Sequence, residues 1–327
     1  MSCSICGAAH ACPLQQTAIP PASPLPRGMH GILNVNKPMG MSSHAVVHTI
    51  RKTGNIARVG HAGTLDPMAT GVLLVCVGQG VRVSEYLIDH DKKYRARVRL
   101  GIETDTYDAT GKIVAQREVD IARAQIVDAL NSFVGEIAQM PPAFSAIKKD
   151  GVPHYKLARR GVDVQVESRA VKIFSIELRD ATLPEVEFDV HCSKGTYIRS
   201  LAHDLGEKLG CGAHLTALTR TMVGQFSLDD SVTLDALREA FAGGYAERHL
   251  IPMDDALLNF EAIVIDPQTA TSIQQGRALS CGRTFTTPLL RAYSTTGEFI
   301  ALLERGQEAG IWKPKKVFSI SDSDPAS

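Results

Sequence analysis

The sequence predicts a mixed α/β (α+β) domain on a largely antiparallel sheet, followed by a small β-rich domain. Three observations carry this. Lys92–Leu100 alternates strictly, with Lys93, Arg95, Arg97 and Arg99 on one face and Tyr94, Ala96, Val98 and Leu100 on the other, the period of a half-buried strand. Val186, Phe188, Val190 and Cys192 alternate in the same way, and Ile198, Leu201, Ala202, Leu205 and Leu209 then recur at helical spacing. Beyond about residue 251, short strand-like runs such as Phe299–Leu303 are separated by Gly276, Gly282, Gly297, Gly306 and Gly310.

In chain order, residues 1–28 hold Pro20, Pro21, Pro24 and Pro26 and read as a flexible extended tail. Cys3-x-x-Cys6, with His10 and Cys12, has metal-binding residue types but not the usual zinc spacing, so no metal site is expected there. Ile32–Val35 reads as a strand and Asn36-Lys37-Pro38 as a turn. Ser43 is the expected cap of a helix that carries Val46, Val47 and Ile50 and stops at Gly54. Residues 60–75, GHAGTLDPMATGVLLV, place Asp66 on a loop that enters the apolar run Val72–Val77, a central strand. Gly78-Gln79-Gly80-Val81-Arg82-Val83 superficially resembles a dinucleotide-binding turn but lacks its third glycine, so neither nicotinamide nor flavin is expected. Segment 141–172 interleaves Lys148, Lys149, Lys156, Arg159 and Arg160 with Phe144, His154 and Tyr155, the composition either of an RNA-facing loop or of a solvated charged face. Lys194-Gly195 then turns into the helix whose first turn holds Arg199. The expected organisation is a tail (1–28), an α/β domain (29–250), a β-rich domain (251–320) and a short tail (321–327).

With 327 residues, 44% of them hydrophobic, the chain can bury one large core or two. Lys+Arg and Asp+Glu both number 35, so any basic surface is local rather than global. The longest apolar run, Val72–Val77, is far short of the ~20 residues of a membrane span. With no signal-peptide pattern, the cytoplasm is the expected compartment. The seven scattered cysteines read as reduced thiols.

A carboxylate on a loop against an apolar strand is costly unless a cation or donor keeps it ionised. Arg199 is a candidate partner, since a guanidinium stays charged when half-buried and grips a carboxylate with paired hydrogen bonds. Asp66-Pro67 also reads simply as a turn, and His61 and Tyr94 as ordinary loop and core residues.

Asn36-Lys37-Pro38-x-Gly40-x-Ser42-Ser43 is followed by Gly60-His61-x-Gly63-x-Leu65-Asp66-Pro67-x-Ala69-Thr70-Gly71 and Lys92-Lys93-Tyr94. Thr104-Asp105-Thr106-x-Asp108, Cys192-Ser193-Lys194-Gly195-Thr196-Tyr197-Ile198-Arg199 and Gly210-Cys211-Gly212-Ala213-His214-Leu215 come next. Over roughly Gly31–Gln225 this order resembles the TruB family of tRNA pseudouridine synthases. The resemblance implies a pseudouridine synthase fold with a PUA-like C-terminal domain, acting on uridine 55 of the tRNA T loop by base flipping. The reaction gains and loses no atoms, so it requires no cofactor. The resemblance further implies that Asp66, Tyr94 and Arg199 are catalytic, that His61 fills the vacated stack, and that Tyr94, Tyr197 and Leu218 wall the pocket. Lys37 would support the loop, while Lys148, Lys149, Lys156, Arg159, Arg160 and Arg220 would meet RNA. Thr219 replaces a basic residue usual in the family, which would remove a phosphate contact. The implied partner is tRNA, through its T arm and acceptor stem, bound by a monomer without obligate protein partners. A non-catalytic tRNA-folding protein using the same groove is the alternative.

Overall fold

The computed structural model describes residues 29–142, 148–149, 152–153 and 167–318. Both tails, the Cys3-x-x-Cys6 motif, Lys156, Arg159 and Arg160 lie outside the described residues. Cα proximity separates a unit spanning Ile32–His249 from one holding the residues from Leu250 onward.

In the first unit, β1 (Gly31–Lys37) leads through a turn into α1 (Ser43–Gly54), which buries Val46, Val47 and Ile50. Ser42, not Ser43, caps this helix: its side chain accepts a hydrogen bond from the Ala45 amide at 3.1 Å. Ser43 is unavailable for capping because its buried Oγ faces the Asp66 loop, donating to the Leu65 carbonyl at 3.1 Å and accepting from the Leu65 amide at 2.9 Å. The next elements are β2 (Val59–Ala62), the central β3 (Thr70–Val77), a 3-10 turn at Gly78–Val83 and α2 (Ser84–Ile88). In β4 (Lys92–Leu100) alternate residues are buried and exposed, as its two-residue period requires.

A small hairpin, β5 (Ile102–Thr104) and β6 (Ile113–Gln116), precedes α3 (Arg123–Asn131) and β7 (Gly135–Gln139). Two short paired strands, β8 (Lys148–Lys149) and β9 (Val152–Pro153), follow. The unit continues with β10 (Arg169–Thr182), β11 (Glu185–Cys192), α4 (Ile198–Leu209) and β12 (Ala213–Val223). It closes with β13 (Phe226–Ser227), β14 (Val232–Thr233) and α5 (Leu234–Ala242).

The main sheet has the order β14-β1-β3-β12-β4-β11-β10-β7, with β2 on β3 and β13 on β12. β12 runs parallel to β3 and antiparallel to β4, and the pairs from β4 to β7 are antiparallel. The register puts Gly71, Arg220, Tyr94 and Val190 in one row across four strands. Phe188, Val98, Ile173, Leu201 and Leu205 belong to the core beneath that row. The opposite face of β4 is basic but not free: Arg95, Arg97 and Arg99 pair with Asp189, Glu187 and Glu185 at 2.9, 2.9 and 3.6 Å. These exposed pairs align the strands more than they stabilise them.

The second unit contains a five-stranded sheet ordered Glu261–Ile265, Leu289–Ser294, Phe299–Arg305, Ile311–Val317 and Leu279–Ser280. Helix Pro267–Gln274 is capped by Asp266, and the core gathers Ile273, Leu290, Ala301 and Trp312. Within it the buried Tyr293 hydroxyl donates to Asp254 at 2.7 Å and accepts from Arg291 at 2.9 Å, so no member of the trio is left unsatisfied.

Gly71 shows how tightly the row is packed. Its φ is +99°, and a Cβ there would lie 2.2 Å from the Arg220 carbonyl oxygen, which belongs to the facing strand and cannot swing aside. Gly71→Ala is expected to destabilise the fold by roughly 3 kcal/mol or more, read as a lowered midpoint in thermal or urea unfolding.

Candidate active site

The loop between β2 and β3 is fixed from below by cations bonded to carbonyl oxygens. Lys37, fully buried at the end of β1, donates from Nζ to Pro38, Met41 and Pro67 at 2.9, 2.6 and 3.3 Å. Burial pushes its pKa down to about 8, opposed by the neighbouring Asp66. Arg220, 1% exposed, donates from Nε to Val72 at 2.7 Å and from its two Nη atoms to Thr64 and Gly63 at 3.4 and 3.2 Å. Arg220, expected to meet RNA, turns its donors inward onto the loop and strand. Thr219, in the place of a basic residue, shares a 2.9 Å hydroxyl hydrogen bond with Thr70. The two Ser43–Leu65 bonds clamp the loop from the side.

On this platform Asp66 points into a cleft of about 280 Å³ and keeps 37% of its side chain exposed. Arg199, whose side chain is only 6% exposed, reaches it with two prongs, Nε to Oδ2 at 2.9 Å and Nη2 to Oδ1 at 3.5 Å. The other side of the guanidinium meets the Thr106 carbonyl at 3.3 Å and Asp108 Oδ2 at 3.6 Å. Asp108 is buried, and its Oδ1 accepts from Thr106 Oγ1, the Thr110 amide and Thr110 Oγ1 at 2.8, 2.9 and 2.6 Å. With Oδ1 saturated, Oδ2 is left for Arg199. Asp108 stands in the motif Thr104-Asp105-Thr106-x-Asp108, yet the spacing of that motif carries no hint that it closes on Arg199 from behind.

Tyr94, Tyr197, Leu218 and Arg220 line the cleft with Asp66 and Arg199. Burial raises the pKa of the Tyr94 phenol, against the pull of the adjacent Arg220, so the hydroxyl keeps its proton at neutral pH. Tyr197 precedes α4, and the buried Gln139 amide holds its backbone by accepting from its N–H at 2.7 Å and donating to its carbonyl at 3.0 Å. Gln139 is invisible as a site residue in sequence because it does its work through main-chain atoms. Lys92 also lines the cleft, with its Nζ on the Ile88 and His90 carbonyls at 2.6 and 2.5 Å and its pKa pushed by burial down to about 8.

His61 lies on β2 outside the cleft lining, its pKa lowered by burial and then by Arg220 and His44. Lys37 likewise sits beneath the loop rather than in the cleft. Lys148 and Lys149 are placed on β8.

Among the described residues that line the cleft, Asp66 is the one carboxylate, set among Lys92, Lys194, Arg199 and Arg220. Glycoside hydrolysis places two carboxyl groups about the scissile bond. Here the second, Asp108, is buried behind a guanidinium. The arrangement suits one anionic nucleophile or proton acceptor facing an anionic substrate.

A family model described as the N-terminal domain of TruB family pseudouridylate synthases matches residues 51–198, and one described as the tRNA pseudouridylate synthase B C-terminal domain matches residues 199–258. The chain is 48% identical over 241 residues to tRNA pseudouridine synthase B of Syntrophotalea carbinolica, covering 73% of this chain and 78% of that protein. It is 40% identical over 291 residues to the protein of that name in Dehalococcoides mccartyi, covering 89% and 97%. A solved structure, a Cbf5-Nop10-Gar1 complex, superposes with a TM-score of 0.68 at 28% identity over 89% of this chain and 85% of that one.

Lys37 makes the platform sensitive to pH. Its folded-state pKa is lowered from 10.5 to about 8, so between those values the unfolded chain binds more protons than the folded one, and stability rises with pH. The stability of the wild type relative to Lys37→Met is expected to increase from pH 8 to pH 10 in parallel urea titrations.

Proposed function

The chain belongs to the TruB family of pseudouridylate synthases, and from that membership we propose that it isomerises uridine to pseudouridine at position 55 in the T loop of tRNA, with Asp66 as the acting group. The observation that carries this reading is the single carboxylate among the described residues lining the cleft, gripped by the buried Arg199 beside Tyr94. The isomerisation breaks the bond from ribose C1′ to uracil N1 and forms one from C1′ to C5. The C5 proton leaves and a proton is taken up at N1, so no atoms are exchanged with a second substrate.

The target nucleotide has to leave its stack before a side chain can reach the glycosidic carbon, at a cost of a few kcal/mol. His61 takes the vacated place, while Tyr94 stacks on the extruded uracil between Tyr197 and Leu218. Asp66 then acts, by attack at C1′, by attack at the base or by assisting elimination. In each case it has to be aimed, which is what the two prongs of Arg199 supply. The protonated Tyr94 phenol is positioned to exchange a proton with the base. Lys148, Lys149, Lys156, Arg159 and Arg160 grip the T arm, and the unit after Leu250 acts as a PUA-like domain on the acceptor stem. The protein works as a cytoplasmic monomer.

Asp66→Asn keeps the shape and removes the charge. Single-turnover assays with an unmodified T-arm hairpin are expected to show product at background and affinity within about twofold of wild type. Substantial residual turnover excludes Asp66 as the acting group, and binding without product from the wild type favours the tRNA-folding role instead. Asp108→Asn removes the charge behind Arg199 while leaving the cleft lining intact. Turnover is expected to fall about tenfold or more at saturating RNA, the scale of lost outer-shell support, with affinity preserved.

A further inference from the structure

Asp66 is the first acidic residue of the chain: residues 1–65 contain no Asp or Glu, although 35 acids balance 35 Lys and Arg over the whole sequence. The described part of that stretch forms β1, α1 and β2. On α1, His44, His48 and Lys52 are exposed and fall at i, i+4 and i+8, in one line about 12 Å long opposite the buried Val46, Val47 and Ile50. An exposed helix face ordinarily intersperses acids with bases. None of these three side chains makes an ion pair or hydrogen bond among the described residues.

His44 lies close enough to His61 to disfavour its protonation, after burial and Arg220, and Arg58 acts in the same way on Arg82. Like charges held together without interspersed acids cost stability unless a polyanion neutralises them. The exposed residues of the helix face, Ser42, His44, His48, Arg51, Lys52 and Thr53, include no apolar anchor, which argues against a membrane surface.

We propose that His44, His48 and Lys52 form a phosphate-tracking surface, which holds the sugar–phosphate backbone of the substrate RNA where it runs away from the flipped nucleotide. The proposal rests on the tRNA reading above. Its continuity with the site comes from His44, the end of the stripe nearest His61, which itself stands on the strand leading into the Asp66 loop. The contact reads charge rather than base identity, so its signature is counterion release.

The test is binding of an unmodified tRNA transcript to the full chain across a salt series. His48→Glu with Lys52→Glu is expected to weaken binding about tenfold near 0.1 M salt and to flatten the log–log salt slope by one to two. The milder Lys52→Gln should lower the slope by about 0.7 to 0.9. Lys112→Glu, a charge reversal on the exposed turn before β6, should leave slope and affinity unchanged. A wild-type slope in the double variant, or an equal loss in Lys112→Glu, overturns the proposal. Pseudouridine formation by the wild type on the same transcript separates the two readings: product with an unaltered slope overturns the surface alone. A flattened slope without product supports the surface and overturns the enzymatic reading.

Discussion

The Arg199 guanidinium, lying between Asp66 and Asp108, is the interaction on which the rest of the site depends. It is 6% exposed and cannot shed its charge, so burying it demands acceptors on more than one side. Asp66 supplies one side, and Asp108 with the Thr106 carbonyl supplies the other. The three hydrogen bonds on Asp108 Oδ1 fix that carboxylate, which fixes the guanidinium, which in turn aims the half-exposed Asp66 into the cleft. Removing Arg199 leaves the buried Asp108 carboxylate without that cation, whereas removing Asp66 leaves the guanidinium facing Asp108.

The other buried cations are satisfied differently. Lys37 and Arg220 are bonded to main-chain carbonyls of the β1–α1 turn, of the Asp66 loop and of β3, not to carboxylates. Carbonyl dipoles stabilise these charges without neutralising them. Positive charge is therefore left facing the cleft, where it suits an anionic substrate. The same cations hold the loop in place, so the electrostatics of the site and its rigidity come from one set of bonds.

Much of this was legible in sequence because it rests on local period. The alternation of β4 and β11, the apolar run of β3 and the helical spacing after Lys194 each correspond to an element of the structure. What local period cannot convey is how strands pair. That Arg220 lies opposite both Gly71 and Tyr94 is a matter of register, and its inward turn follows from that register rather than from any feature of Thr-Arg-Thr. Ser43 reads as a cap because Ser42 and Ser43 are both competent to cap a helix, and only the distant Leu65 distinguishes them. Asp108 and Gln139 act through contacts 91 and 58 residues away, a separation no motif encodes.

A structure of the Asp66→Asn protein bound to an unmodified T-arm hairpin tests the central claim most directly. The account predicts one uridine extruded into the cleft, its ring on Tyr94 and its C1′ or base carbons within about 3.5 Å of the residue 66 side chain, with Arg199 still paired to Asp108. A T loop that keeps this uridine stacked, or an extruded base lying beyond reach of residue 66, would contradict it.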